Sequence, residues 1–353
     1  MNFKDISSLY KDKVNQKINN FFQDKPNDKF VKYMYELLQN FVVNGGKRLR
    51  PISLIMAYNA VSDKNLDDII KASLCVELFH ASTLIHDDIM DEDTKRRGNN
   101  TLFESFRQYF LNNYKEDQNE GVVFDNKSTK YAVNQAIIAG NILNSLCYKP
   151  ILNSNFSEKS KLKAIQNLSK SYENVNLGQY EDIDYESRVE VTEEDYMRMI
   201  YNKTGRLIIS SLQIGLILAN ADEKVIKSFT KYAKNVALAF QLKDDLMDIT
   251  EGSLKGHKLG SDIKEGKQTL LMIKGLELAS EDQKELLKKV NPSDAEVVDI
   301  IKVLKDIGSV SYVQDLANKC IEEAKEELNS LEIKEESKIY FQGLADFVIN
   351  RNI

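Results

Sequence analysis

Apolar residues recur at helical spacing along most of the chain. Ile69, Ile70, Leu74, Leu78, Ala81 and Ile85 fall on one side of a helix, and the spacing predicts one long helix over residues 66–93. Residues 195–220 and 224–250 predict two more. Pro51 follows the turn-forming Gly45-Gly46 and sits where a first helical turn tolerates proline. Residues 112–130 are polar and rich in Asn, Asp and Glu, which predicts a surface excursion between helices. From 279 to 338 the chain is highly charged yet keeps helical spacing, as a solvated outer helix face does. Strand signals are poor and no repeat of fixed period is present. The predicted fold is all-α, a helical bundle forming a single domain over residues 1–353.

Composition sharpens this picture in two respects. There are 4 prolines in 353 residues, where average usage would give roughly 18. Proline breaks helix interiors, so its scarcity favours long uninterrupted helices. The net charge of −6, with 29% charged residues, argues against a nucleic-acid binder, which carries a basic face. The balance suits a cytoplasmic protein. No apolar run reaches the ~18 residues of a transmembrane span, and MNFKDISSLYKDK lacks a signal-peptide core. Cys75, Cys147 and Cys320 are odd in number and far apart, which fits buried free thiols rather than a zinc site or a disulfide framework.

The candidate chemistry lies in two aspartate clusters. Asp87 and Asp91 are four residues apart near the end of an apolar helix, so they share a face about 40° wide, with Asp88 beside them. Carboxylates this close repel one another, and burial raises their pKa; a divalent cation removes that penalty. Asp244, Asp245 and Asp248 repeat the spacing behind a second apolar helix. Two such helices facing each other would offer six carboxylates. Magnesium commonly takes one or two carboxylates and completes its shell with water and phosphate, so the pair suggests a diphosphate held by metal bridges.

Cations accompany these clusters. Lys47, Arg48 and Arg50 follow the Gly45-Gly46 turn; Lys95, Arg96 and Arg97 follow the first aspartates; Lys203-Thr204 interrupts a moderately apolar helix; Lys258 and Lys267 follow the second aspartates. Arginine grips phosphate through a fork and lysine acts as a point charge. The set calls for two anions. His80 lies two turns before Asp87 on nearly the same face, whereas His86 and His257 carry no comparable argument.

In order along the chain, GGKRLRP, ELFHASTLIHDDIMDEDTKRRG, KTG, FQLKDDLMD and GSDIKEGKQTL resemble the trans-prenyl diphosphate synthases, the polyprenyl synthetase family. The resemblance runs from about residue 44 to 277. It implies a helical fold around a deep central cavity, usually a homodimer, and roughly three magnesium ions (Mg2+) per active site. It implies that Lys47, Arg50, His80 and Arg97 bind isopentenyl diphosphate, and that Arg96, Lys203 and Lys258 hold an allylic diphosphate. Asp87, Asp91 and Asp244 would be the principal metal ligands, supported by Asp88, Asp245 and Asp248. Thr204 and Gln241 would lie beside the forming carbocation, with Lys267 closing the second phosphate site. The implied reaction is head-to-tail condensation of isopentenyl diphosphate with a dimethylallyl, geranyl or farnesyl diphosphate. The allylic C–O bond ionises, the isopentenyl double bond attacks, and the lost proton goes to the released diphosphate. Water must be kept out; a C-terminal tail carrying Arg351 is one candidate for that role.

The family's chain pocket is lined by the helix before the first aspartates. Ser82 and Thr83 are small, which leaves room for long products, and Phe79 lies roughly 12 Å back along the helix, where it could form a floor. The expected product is geranylgeranyl diphosphate, with C25–C30 or farnesyl products as alternatives. The GKQTLL segment is similar to short-chain archaeal and bacterial members. Asn100, Asn141, Ala237 and His257 depart from the family pattern; none removes a metal ligand, and His257 bears on the Lys258 assignment. A class I terpene cyclase would lack the GGKRLRP site, and a non-catalytic subunit would be expected to lose aspartates.

Overall fold

The structure, a computed structural model, describes residues 1–23, 28, 31–64, 66–188, 190–250 and 259–351. Helices dominate, and the all-α reading holds. Among the described residues the only named strands are Lys95–Arg96 and Asn99–Asn100, an antiparallel pair two residues long.

Two compact units emerge from the contacts. One comprises Met1–Phe3, Met56–Ser62 and Gln166–Ile353, the other Lys4–Ile55 and Asp63–Ile165. In the second unit, the Leu74–Met90 helix packs on Lys127–Leu146, which also packs on Leu102–Asn113. Its core includes Leu78, Phe79, Ile85, Ala136, Ala139 and Leu143, all nearly inaccessible to solvent. Thr101 and Asn126 start their helices by accepting the backbone N–H groups of Glu104 and Thr129. In the first unit the Glu223–Asp248 helix packs against Arg206–Leu218, Ser309–Asn329 and Glu335–Ile349. Phe229, Tyr232 and Phe341 interlock there edge to face, and the Tyr232 hydroxyl donates to the Phe341 carbonyl at 2.5 Å.

The observed elements differ from the predicted ones in informative ways. The helix expected over 66–93 is divided into Leu66–Ala72 and Leu74–Met90. At the break, the Ser73 hydroxyl donates to the Ile70 carbonyl, the local competition with backbone bonding that weakens serine in helices. Taken together, Leu66–Met90 is long and apolar enough by composition alone to cross a membrane, yet 72% of its apolar window is buried inside the fold, as in a core helix of the kind the sequence predicted here. The helix expected over 195–220 contains a π-turn, Tyr201–Gly205, between Glu193–Ile200 and Arg206–Leu218. The excursion narrows to 114–126, where Val122 and Val123 are exposed. The charged 279–338 tract folds into helices that bury Val297, Ile300, Val313 and Ile321. Cys75, Cys147 and Cys320 are free and buried, and burial raises all three thiols above their ordinary range.

Candidate active site

In the unit holding Asp63–Ile165, the glycine turn is built on Arg48. Its backbone is left-handed (φ 56°) and its guanidinium is almost fully buried. Arg48 pairs with Glu77, donates to the Val42 and Val43 carbonyls at 2.7 and 2.8 Å, and to Asn15 Oδ1 at 2.9 Å. These bonds make Arg48 the anchor of the turn. Lys47 beside it is exposed. Arg50 Nη1 meets His80 Nε2 at 3.1 Å. Arginine can only donate, so His80 accepts through Nε2 and carries its proton on Nδ1. Burial, reinforced by Arg50, Arg97, Arg96 and Arg48, holds the imidazole well below its usual pKa, so His80 is neutral. Burial also lowers Arg50 to about 10, still cationic at neutral pH.

Arg97 reaches this cluster through the short hairpin. Lys95 pairs with Asn100 and Arg96 with Asn99, leaving Arg97 (φ 53°) and Gly98 (φ 79°) as the two turn residues. Positive φ at both positions is the type I′ requirement, and Gly98 meets it without strain. A Cβ on Gly46 would lie 3.2 Å from Arg97 Nη2, so the guanidinium rests against the glycine backbone. The structure thus brings Arg50, His80 and Arg97 together. The hairpin, which the poor strand signals did not reveal, aims Arg96 the other way, onto the aspartates.

Three environments separate the first aspartates. Asp91 caps the Leu74–Met90 helix and is exposed; the Asp87 side chain is 21% exposed; Asp88 is buried and pairs with Arg96. Arg96 Nη2 lies 3.5 Å from Asp87. Among the described residues no three acidic, His or Cys side chains converge into a ready-made metal cage. Asp88 Oδ2 is nonetheless buried with no hydrogen-bond partner, an oxygen that a hard cation would satisfy, and the all-carboxylate donor set suits magnesium. The residues present therefore fit the implied ion.

Burial pushes Asp88 up to about 7, against the opposing charge of Arg96. The folded chain thus keeps a proton that the unfolded chain releases near pH 4. The resulting stabilisation is complete below the unfolded pKa and lost as pH rises through about 7. Melting temperatures without metal should fall over that window, and magnesium should restore more stability at pH 8 than at pH 5, because it binds the ionised form. A flat metal-free profile would contradict this assignment.

The second aspartates, in the other unit, are equally unlike one another. Asp244 is 27% exposed on its side chain, with Arg351 Nη1 3.6 Å away and the Arg351 guanidinium over the Phe240 ring. Asp245 accepts from Tyr196 Oη at 2.5 Å and Gln241 Nε2 at 3.0 Å. Asp248 accepts from Ser261 Oγ at 2.5 Å and the Asp262 N–H at 3.1 Å. Lys203 Nζ pairs with Asp182 at 2.5 Å, and Thr204 Oγ1 donates to Gln241 Oε1 at 3.0 Å. Both belong to the π-turn, a feature frequent at functional sites. Lys267 meets Glu265 at 3.2 Å and, with Lys203, faces Glu186. Lys258 and His257 lie outside the described residues.

Of the expected pocket residues, Phe79 and Ser82 are fully buried, and Ser82 Oγ has no hydrogen-bond partner. Thr83 donates to the His80 carbonyl at 2.9 Å. Sequence reasoning missed Glu77, Asp182 and Tyr196, since each acts through a partner distant in sequence. It also found no role for His86, which packs on Gly140, where a Cβ would lie 2.2 Å from Nε2. A glycine inside an apolar helix was the available signal for that contact.

All-helical units, the Asp87 and Asp91 carboxylates beside Arg96 and a separate arginine–histidine cluster suit an enzyme class that handles diphosphates. The polyprenyl synthetase profile matches residues 31–307, and the chain belongs to that family. Geranylgeranyl pyrophosphate synthase of Geoglobus acetivorans is 32% identical over 350 residues, 98% of this chain and 99% of that one. Geranylgeranyl diphosphate synthase of Methanosarcina mazei is 33% identical over 319 residues, 90% of each chain. The crystal structure of geranylgeranyl pyrophosphate synthetase from Pyrococcus horikoshii Ot3 is similar at a TM-score of 0.84 and 29% identity, covering 99% of both chains. The chain is a prenyltransferase that carries out prenyl condensation.

Proposed function

We propose that the product is geranylgeranyl diphosphate, made by extending an allylic diphosphate with isopentenyl diphosphate, and that residues 1–353 act as one catalytic domain. The observation that carries the two-diphosphate reading is the Arg50–His80–Arg97 cluster, distinct from the Asp87–Asp91 face. A cyclase, which takes one diphosphate, has no use for the former. Lys47, Arg50, His80 and Arg97 bind the isopentenyl diphosphate; neutral His80 orients Arg50 and adds no charge of its own. Asp87, Asp91 and Asp244 are the main magnesium ligands, with Asp88 beside them. Bound magnesium would supply charge neutralisation for the leaving diphosphate. Arg96, Lys203 and Lys258 hold the allylic diphosphate, Lys267 closes its site, and the Thr204 and Gln241 oxygens face the developing cation. No side-chain base is required, since the released diphosphate takes the proton.

Phe79 sets the chain length, with Ser82 and Thr83 leaving the space above it. Phe79→Ala should shift products to C25 or longer, as judged by mass; an unchanged product distribution would sink the floor. The exposed Ile137 and Ile138 on one helix, and Leu177, Tyr180 and Ile183 on another, support a homodimer. Sedimentation tests that reading. Three free thiols suit a reducing, cytoplasmic setting. The deciding experiment supplies isopentenyl diphosphate, magnesium and each allylic primer in turn. A C20 product that disappears with chelator supports the proposal, a longer product moves the floor deeper than Phe79, and no elongation rejects it.

A further inference from the structure

Four side chains form a directed hydrogen-bond chain in the unit that holds the second aspartates. Thr204 Oγ1 donates to Gln241 Oε1 at 3.0 Å, Gln241 Nε2 donates to Asp245 Oδ1 at 3.0 Å, and Tyr196 Oη donates to Asp245 Oδ2 at 2.5 Å. Asp245 and Tyr196 are 3% and 2% exposed. The direction follows from the geometry. Gln241 turns its NH2 toward Asp245 and its oxygen toward the Thr204 hydroxyl. Tyr196 donates its hydroxyl to the second Asp245 oxygen, so that carboxyl is held from both sides.

The fold supplies each member for this arrangement. Gln241 and Asp245 are four apart on the Glu223–Asp248 helix, hence on one face. Tyr196 sits on Glu193–Ile200, which starts in a capping box between Thr192 and Asp195. On an unbroken α-helix Thr204 would be rotated about 80° from Tyr196. The Tyr201–Gly205 π-turn adds a residue to that turn, and both side chains reach the same partner helix.

We infer that Tyr196 and Asp245 are positioning residues that lock the Gln241 amide with its oxygen on the Thr204 side, and that Asp245 serves this role instead of ligating metal. The inference rests on the proposed elongation reaction, in which that oxygen faces the allylic cation. A reversed amide would present N–H groups to a developing positive charge, the wrong sign for stabilisation. Both Asp245 oxygens already accept bonds within the protein, whereas Asp244 remains partly open to solvent.

The test compares wild type, Tyr196→Phe, Asp245→Asn, Thr204→Val and the Asp245→Asn/Thr204→Val double variant, with thermal melts for each. Magnesium affinity is measured by calorimetry in the presence of an unreactive allylic diphosphate analogue. A carboxamide at 245 can donate, so the Gln241 amide loses its single orientation. The expected kcat losses are about tenfold for Tyr196→Phe and about a hundredfold for Asp245→Asn, with the isopentenyl diphosphate KM within about twofold. Magnesium affinity should stay near wild type, and the double variant should lose little beyond Asp245→Asn alone, as coupled groups do. A tenfold or greater weakening of magnesium binding in Asp245→Asn, multiplicative losses in the double variant, or wild-type kcat in both Tyr196→Phe and Asp245→Asn would overturn the inference. A wild-type chain that elongates no primer would instead overturn the elongation reading, and this role with it.

Discussion

Alanine at Asp87 or Asp244 should lower the elongation rate by about a thousandfold while leaving the fold intact. Metal-ion stabilisation of a departing anion is worth several kcal/mol, and about 4 kcal/mol corresponds to roughly three powers of ten. Neither side chain is buried enough for its removal to open the core: Asp87 and Asp244 are 21% and 27% exposed. The ion pairs they lose, to Arg96 at 3.5 Å and Arg351 at 3.6 Å, are partly solvated and contribute less than about 1 kcal/mol each. Asp248→Ala should behave in the opposite manner. Its carboxylate holds Ser261 and the Asp262 N–H, so the loss should appear as about 1–3 kcal/mol of stability. Steady-state kinetics beside thermal melts separate the two outcomes. Equal rate losses at 244 and 248, with equal melts, would refute the division of labour.

The second large effect is expected at Gly178. Within a solvent-exposed helix, glycine to alanine stabilises by roughly 1 kcal/mol. Gly178 lies buried in the 29-residue Glu158–Glu186 helix, against the π-turn. A Cβ there would sit 2.2 Å from the Lys203 backbone nitrogen and 2.7 Å from its Cα. Those atoms are backbone and cannot swing aside, so the turn must shift. Gly178→Ala should therefore cost about 1–3 kcal/mol, as overpacking does. It should also lower kcat by about a hundredfold, because Lys203 and Thr204 move with the turn. Melting and kinetics on the single variant read both. A higher melting temperature would mean that the helices separate freely and that propensity governs this site.

The arrangement also explains why basic residues adjacent in sequence do unlike work. Arg48 is spent inside the glycine turn, Arg50 faces His80, Arg96 pairs with the buried aspartate, and Arg97 turns back onto Gly46. A left-handed backbone at Arg48 and Arg97 reverses the side-chain direction from one residue to the next. Lysine at 48 could supply a charge but not the forked set of bonds to Glu77, Val42, Val43 and Asn15.

Much of this protein was legible in its sequence because the relevant physics is local. Helical periodicity marked the 223–248 helix within a residue or two, and four-residue spacing placed Asp87 and Asp91 on one face. The motif order led to the family. The π-turn, the break at Ser73 and the Arg97-Gly98 hairpin left little local signal, since each depends on competing hydrogen bonds or on packing against another helix. Three aspartates at DDxxD spacing look alike on paper, yet their oxygens differ in what they have left to offer. Asp244 stays partly open, Asp245 is held by Tyr196 from 49 positions away, and Asp248 by Ser261 across the return of the chain. Residue type and helical phase are written along the chain, and they already limit which residues could carry the chemistry. Which of them face solvent and which are tied up inside the protein is settled by folding, because a buried carboxylate's partners are brought in from elsewhere in the chain.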